Sequence, residues 1–296
     1  MILLNSLHDL IALHYVYPLT LNKLQKLLES SLSIQNIKNL SSSNFSKILS
    51  ISTKNADNIL LNYHRMLKIN LLDAYNSANI NVIPFNSEYY PGKLMELVDP
   101  PTILYAKGDI SLLKNPNKIA IVGSRKATNY SELAMEMIVP PLIQGNFIIV
   151  SGLAKGVDSL AHSAAIKYGG KTIAVLGHGL FHLYPKENKK LADELEGNHL
   201  LLTEYPPYVG VQKWHFPMRN RIISGISNAI VVTEAALKSG SLITTEHALE
   251  HGKDVFVVPG PIDSEQSKGT NSLLREGAIP IWSGHQILEE LKLFLR

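Results

Sequence analysis

A chain of 296 residues, 45% hydrophobic and 18% charged, has the length and apolar content of one or two folded domains, which excludes a disordered or fibrous polymer. It contains no cysteine, which excludes a disulfide framework and any thiolate metal centre and fits a reducing, cytoplasmic compartment. The formal net charge of +3 is too small to argue by itself for a polyanionic partner.

In chain order, the opening from Met1 to Leu19 interrupts its apolar residues with Asn5, His8, Asp9 and His14 and has no basic leader, so it reads as neither a signal peptide nor an anchor. No later stretch approaches the length of a membrane span, so no membrane insertion is expected. Residues 1–80 read as a small all-α domain. Leu19, Leu24, Leu27 and Leu28, then Ala56, Ile59, Leu60 and Tyr63, recur at helical spacing, and Ser41–Ser43 and Ser52-Thr53 supply caps. Residues 1–85 hold seven Lys/Arg against four Asp/Glu, so the whole net charge of the chain resides there. Small helical domains of this kind grip a nucleic-acid backbone or mediate contacts between proteins. From Asn79 to Asn117 prolines and aromatics crowd together, too apolar for a linker. This segment is expected to pack on the domain that follows, with Thr102–Tyr105 as an edge strand.

From Lys118 onward, strand and helix alternate. Apolar runs at Ile119–Val122, Phe147–Val150, Thr172–Leu176, Leu200–Leu202, Ala229–Val232 and Val255–Val258 predict strands. Ser131–Ile143, Val157–Tyr168, Lys186–Leu195, Asn220–Ile226 and Ser241–His251 predict the intervening helices, with a last amphipathic helix at His285–Phe294. Pro140 and Pro141 are expected to end or kink the first of them. The pattern is that of an α/β fold, a doubly wound, mostly parallel sheet over residues 81–296.

In such a sheet, ligands bind beyond the carboxyl ends of the strands. The run IAIVGSRKAT (Ile119–Thr128) places Gly123, Ser124 and Arg125 at the first exit, and a guanidinium there suits phosphate. It lacks the glycines of the dinucleotide fingerprint. Later exits carry Ser151-Gly152 with Lys155, then Gly177-His178-Gly179 followed by Lys186, then Phe216 to Arg221, then Glu234 with Lys238 and Ser241. Tyr205–Thr233 and Ile110–Ser131 contain no carboxylate, while holding Lys213, Arg219 and Arg221 in the first and Arg125 and Lys126 among the bases of the second. Each loop alone is equally well a tight turn, with Phe216 in the core. Their convergence on one sheet rim favours a row of phosphates with Phe216 as a stacking face. His247-Ala248-Leu249-Glu250-His251 fits a zinc-peptidase pattern, but no third ligand follows it, so no metal is expected. No G-x-S-x-G nucleophile elbow is present.

Taken together, IAIVGSRKAT, SGLAKGVDSLAH, YPKEN, FPMRNRIISGIS, EAALKSGSLITTEHALEHGKDVFVVPGPI and GTNSLLREGA resemble, in order and spacing, the DprA/Smf family of bacterial DNA-processing proteins, from about Ile83 to about Ile281. The helical start is similar to the sterile-alpha-motif-like (SAM-like) domain of many members. The resemblance implies an extended Rossmann-like domain that binds single-stranded DNA without sequence preference and protects it. It also implies a homodimer that loads the RecA recombinase during natural transformation, with no cofactor and no catalytic residue. DNA contacts then fall on Arg125, Lys186, Lys213 and Phe216, with Gly123, Ser124, Ser151, Gly152, Lys155, Arg219, Asn220, Lys238 and Ser241 lining the same pocket. Some members end in a winged helix; with the sequence ending at Arg296, none is expected here. Ser241–His251 and Gly269–Gly277 are the expected dimer face. The rival reading is a nucleotide phosphoribohydrolase similar to the LOG group, with Glu234 as its acid. Those enzymes show a PGGxGT loop where this chain reads Pro259-Gly260-Pro261-Ile262.

Overall fold

The computed structural model describes residues 7–237, 239–240, 242, 244–245 and 252–293. Helices α1 (Leu7–Val16), α2 (Leu21–Ser31), α3 (Ser42–Leu49), α4 (Thr53–Met66) and α5 (Leu71–Ser77) form an all-α unit. The serines that mark helix starts in the sequence do so here. Ser41 Oγ accepts the Asn44 N–H and Ser52 Oγ the Asn55 N–H, each at 3.2 Å; such a cap contributes about 1 kcal/mol. The apolar faces meet in a core that includes Leu10, Leu24, Leu27, Phe45 and Tyr63, and this core continues onto Ile103 and Tyr105 of the neighbouring sheet.

That sheet has nine strands: β1 (Asn81–Pro84), β2 (Ile103–Gly108), β3 (Lys118–Val122), β4 (Ile148–Ser151), β5 (Thr172–Val175), β6 (Leu200–Thr203), β7 (Ala229–Val232), β8 (Val255–Val257) and β9 (Ile279–Pro280), in the order β1-β2-β6-β5-β4-β3-β7-β8-β9. From β6 to β9 all neighbours are parallel. Strands β1 and β2 add an antiparallel edge. All six predicted parallel strands are present. Thr102–Tyr105 overlaps β2 but is not the edge, because β1 pairs outside it with Val82 opposite Tyr105. Strand β1 gives no signal of its own in the sequence: it has four residues and ends in proline.

Each interior strand is buried on both faces, so its sequence is continuously apolar. Ala120, Val122, Val150, Val175 and Ile230 pack with Ile222, Ile223 and Ile226 of α9 (His215–Ile226). Ile119, Ile121, Ile149, Val231 and Phe256 face the other way, toward α6 (Asn129–Gln144), α7 (Val157–Lys167) and the terminal helix Gly284–Leu293. Two helix boundaries differ from expectation. Helix α6 runs through Pro140 and Pro141 to Gln144. Val139, Pro141 and Leu142 stay buried there, so packing holds the last turn despite two missing N–H groups. Helix α9 starts at His215 rather than Asn220, with Pro217 in its first turn, where an N–H has no intrahelical acceptor to lose. The segment expected as one helix from Lys186 opens as a 3-10 turn, Lys186–Asn188, and continues as α8 (Lys189–Asn198).

The chain builds outward from β3 through β4, β5 and β6, then returns to β7 on the other side of β3. The crevice between the carboxyl ends of β3 and β7 is therefore the topological switch point of the sheet. Among the described residues, no helix is long and apolar enough to cross a membrane.

Candidate nucleic-acid interface

At the switch point, β3 leaves the sheet through Gly123. A β-carbon at 123 would lie 2.6 Å from Val157 Cγ2 and 2.7 Å from the Glu234 carbonyl oxygen, so only glycine lets this strand exit meet both the start of α7 and the loop after β7. Ser124 donates its N–H to the Glu234 carbonyl at 2.7 Å and accepts the Val157 N–H at 3.1 Å. Its hydroxyl donates to Gln266 Oε1 at 2.5 Å and accepts the Lys126 N–H at 3.0 Å. Ser124 is thus buried and fully engaged in shaping the turn, while Arg125 and Lys126 project exposed.

The Glu234 side chain has a structural role in this turn. Its carboxylate accepts the Thr128 N–H and Thr128 hydroxyl, each at 2.8 Å, and the Ser131 hydroxyl at 2.6 Å. Those donors belong to the opening of α6, where a negative charge is favoured by the helix dipole. With both oxygens occupied and the side chain buried, Glu234 offers no acid to a ligand on the rim. The phosphoribohydrolase reading loses its acid residue.

A second layer lies beneath. Arg219 of α9 is only 4% exposed. Its Nη1 donates to the Val175 carbonyl at 2.6 Å, and its guanidinium lies flat on Gly152, where any β-carbon would collide with it. Asp158 of α7 lies close to that charge and accepts the Ala154 N–H at 3.3 Å. Burial raises the Asp158 pKa, and the Arg219 charge is the largest influence opposing that rise. Ser151 is fully buried and donates to the Ile121 carbonyl at 2.7 Å. Asn220 donates to the Gly240 carbonyl at 3.2 Å and so ties α9 to the loop after β7. Ser151, Gly152, Arg219 and Asn220 therefore support the rim from below, by joining strand exits to one another.

On the rim itself, the Arg125 guanidinium carbon is 5.5 Å from the centre of the Phe216 ring. Phe216 is half-buried, resting on Gly177 and 5.6 Å from the Tyr184 ring. Two strand exits, after β3 and β5, and α9 thus meet at one cation–aromatic contact. Lys213 is exposed and precedes Phe216 by three residues, so their backbones are at most about 11 Å apart. Asn188 donates to the Leu153 carbonyl at 2.8 Å, drawing Lys186 to the same rim. Lys155 pairs with Glu187 at 2.6 Å, so that cation is neutralised locally. Arg125, Lys186 and Lys213 are exposed and form no ion pair among the described residues. Trp214, 62% exposed, and Tyr184, 45% exposed, extend the aromatic surface. The sequence gives Tyr184 no signal beyond its place before Pro185. Lys238, Ser241 and the His247–His251 pattern lie outside the described residues. Among the described residues, no cluster of His, Asp and Glu could hold a metal ion.

Comparison with known proteins agrees with this architecture. A family model described as DNA recombination-mediator protein A matches residues 81–292. The DNA processing protein DprA of Bacillus subtilis is 47% identical over 221 residues, covering 75% of this chain and 74% of the relative. Its namesake in Streptococcus pneumoniae is 45% identical over 223 residues, covering 74% and 78%. The X-ray structure of the Streptococcus pneumoniae protein superposes with a TM-score of 0.80 at 37% identity, covering 97% of this chain and 99% of that one. DNA processing protein A from Helicobacter pylori, solved for its single-stranded DNA binding mode, gives a TM-score of 0.65 at 34% identity over 72% of this chain and 95% of its own. With the family model matching well over half of its length, and with relatives this similar, the chain belongs to the DprA/Smf family of DNA-processing, recombination-mediator proteins.

Proposed function

We propose that this protein binds single-stranded DNA by its sugar–phosphate backbone, without sequence preference, shields it, and loads the RecA recombinase onto it during natural transformation. It acts as a cytoplasmic homodimer and carries out no chemistry on the strand. The observation that supports this most is the Arg125–Phe216 contact on an exposed cationic rim, where Asp158 and Glu234 are buried beneath the surface and Glu187 is paired with Lys155. A guanidinium meets any phosphate, and an aromatic face meets any base. The Helicobacter pylori relative, described by its single-stranded DNA binding mode, supports the same ligand.

Fluorescence anisotropy with labelled oligo-dT and a mixed-sequence oligonucleotide, at several salt concentrations, tests the reading. Affinity is expected to fall with salt for both, as counterions are displaced by lysine and arginine. Arg125→Ala is expected to weaken both oligonucleotides alike and to reduce the slope of log affinity against log salt by about 0.7. Loss confined to one sequence, or binding indifferent to salt, contradicts backbone recognition. RecA filament growth on the same strands should be accelerated by the unaltered protein and not by Arg125→Ala. Release of free base from nucleoside monophosphates would restore the enzymatic reading.

A further inference from the structure

A groove of about 340 Å³ runs between the end of α1 and the face of α4, far along the chain from the rim residues. Its floor is apolar, made by Val16, Ile51 and Ile59. Along one wall stand Asn55, Asn58 and Asn62, spaced three and four residues apart and therefore stacked on one side of α4. The side chains of Asn55 and Asn58 make no hydrogen bond among the described residues, so their amide donors and acceptors face solvent. Tyr17 closes one end, with Lys23 Nζ 5.4 Å from the centre of its ring. At the other end, Arg65 donates to Asn62 Oδ1 at 3.4 Å. No carboxylate lines the groove. The acid of α4, Asp57, is about 200° round the helix from Asn55.

The end of α1 that borders the groove is also tied to the segment that leads to the rim. Tyr15, two residues before Tyr17, packs tilted against Tyr208 at 4.3 Å between ring centres, and the Tyr208 hydroxyl donates to the Tyr15 carbonyl. Tyr208 in turn accepts a hydrogen bond from His182 at its carbonyl, 2.7 Å away, and begins the segment that leads to Lys213 and Phe216. Neither 176–186 nor 205–214, the two segments that meet there, contains an acid. The Tyr15–Tyr208 contact thus joins the α1 end of the groove to acid-free segments that lead toward Phe216.

We propose that the groove between α1 and α4 is a second subsite for the same single strand, taking bases against its apolar floor and asparagine wall while Lys23 and Arg65 meet phosphates at its two ends. This extension rests on the single-stranded DNA reading of the rim. The chemistry favours a nucleic-acid strand over a protein segment, because cations stand at both ends of a groove with no acid, and primary amides pair with base edges.

The test compares oligo-dT of about six nucleotides, which the rim alone accommodates, with one of about thirty, using the full chain. Asn58→Asp places a negative charge in the groove at an exposed helix position, and Lys23→Ala removes a cation from its end. Each is expected to lower affinity for the long strand about fivefold or more while leaving the short strand unchanged. Lys23→Ala should also reduce the salt slope on the long strand by about 0.7. Helical circular dichroism of both variants should match the unaltered protein. Unchanged affinity for the long strand in both folded variants, or equal loss on both lengths, overturns the subsite while leaving the rim standing. Failure of the unaltered protein to bind either length removes the rim and the subsite together.

Discussion

Arg125 stands free because Ser124 holds the turn: every polar group of that serine is engaged, and the guanidinium is left to the solvent and to Phe216. The two rim residues make separable contributions. Phe216→Ala is expected to weaken single-strand binding by about 1–3 kcal/mol, the value of one base stack, with the salt slope unchanged. Titration at three salt concentrations checks it, and a changed slope would mean that Phe216 acts through Arg125 instead. Glu234 matters in a different way. Glu234→Gln turns an acceptor of three donors into a group with one acceptor and a mismatched amide, so a loss of about 1–3 kcal/mol in urea unfolding is expected. A variant as stable as the parent would show that the α6 opening does not depend on that charge. The placement of Arg125 and Phe216 on the rim was legible in the sequence because each follows a strand exit in a stretch without acids. The Arg219–Asp158 pair was not, since its partners come from α9 and α7 and neither residue carries a mark of burial. Glu234 was open to a catalytic reading because its donors, Thr128 and Ser131, lie across the switch point.

At the level of elements, double-sided burial is what made the parallel strands readable, and its lack is what hid β1, where only Ile83 is buried, and β9, of two residues. The start of α9 was misplaced because Pro217 reads as a breaker, although in a first turn it breaks nothing. Buried histidines at the seams between elements make the fold sensitive to acid. His162 of α7 has Nδ1 2.6 Å from the Thr172 hydroxyl of β5, which itself donates to the Ile149 carbonyl at 2.7 Å. Nδ1 must therefore donate, and Nε2 is left unprotonated and without a partner. Burial first, then the charge of Arg219, holds its pKa down to about 3. His14 of α1, against the Tyr105 hydroxyl at 3.0 Å, is held at about 3 by burial. In the unfolded chain both protonate near 6.5, so the unfolded state binds more protons between about pH 6.5 and 3. Their contribution is complete above pH 6.5 and is lost as pH falls, on the order of 2 kcal/mol each by pH 5. Urea unfolding at pH 7, 6 and 5 should show the decline, and His14→Gln or His162→Gln should flatten it. A slope unchanged in both variants would place the acid sensitivity elsewhere.

For the whole molecule, the informative feature is that the helical unit and the sheet share a core. Tyr105 is fully buried on β2, bonded to His14 and edge-on to Tyr75 at 5.6 Å between ring centres. Beside it, the Leu21 N–H donates to the Pro100 carbonyl at 2.8 Å and Thr20 bridges to Pro101. The face of β2 that the helices cover would otherwise present Ile103 and Tyr105 to water. A sequence read by segment separates these parts at residue 80, because composition changes there and a shared core leaves no local mark. The seam also fixes how Tyr15 meets Tyr208. Such a core couples the two parts in unfolding, and a single calorimetric transition is expected for the full chain. Tyr105→Ala empties the centre of the seam at a cost of about 3–5 kcal/mol, borne by the contacts between the parts rather than by either core alone. The expected result is a helical transition that separates to lower temperature while the parallel strands β3 to β8, whose core does not include Tyr105, melt near the parent value. If Tyr105→Ala instead melts in one step at the parent temperature, Tyr105 carries little of the coupling, and the two parts are held in register by the other seam contacts, Ile103, the Pro100–Pro101 bridge, Asn22 to Val98 and Tyr15 to Tyr208.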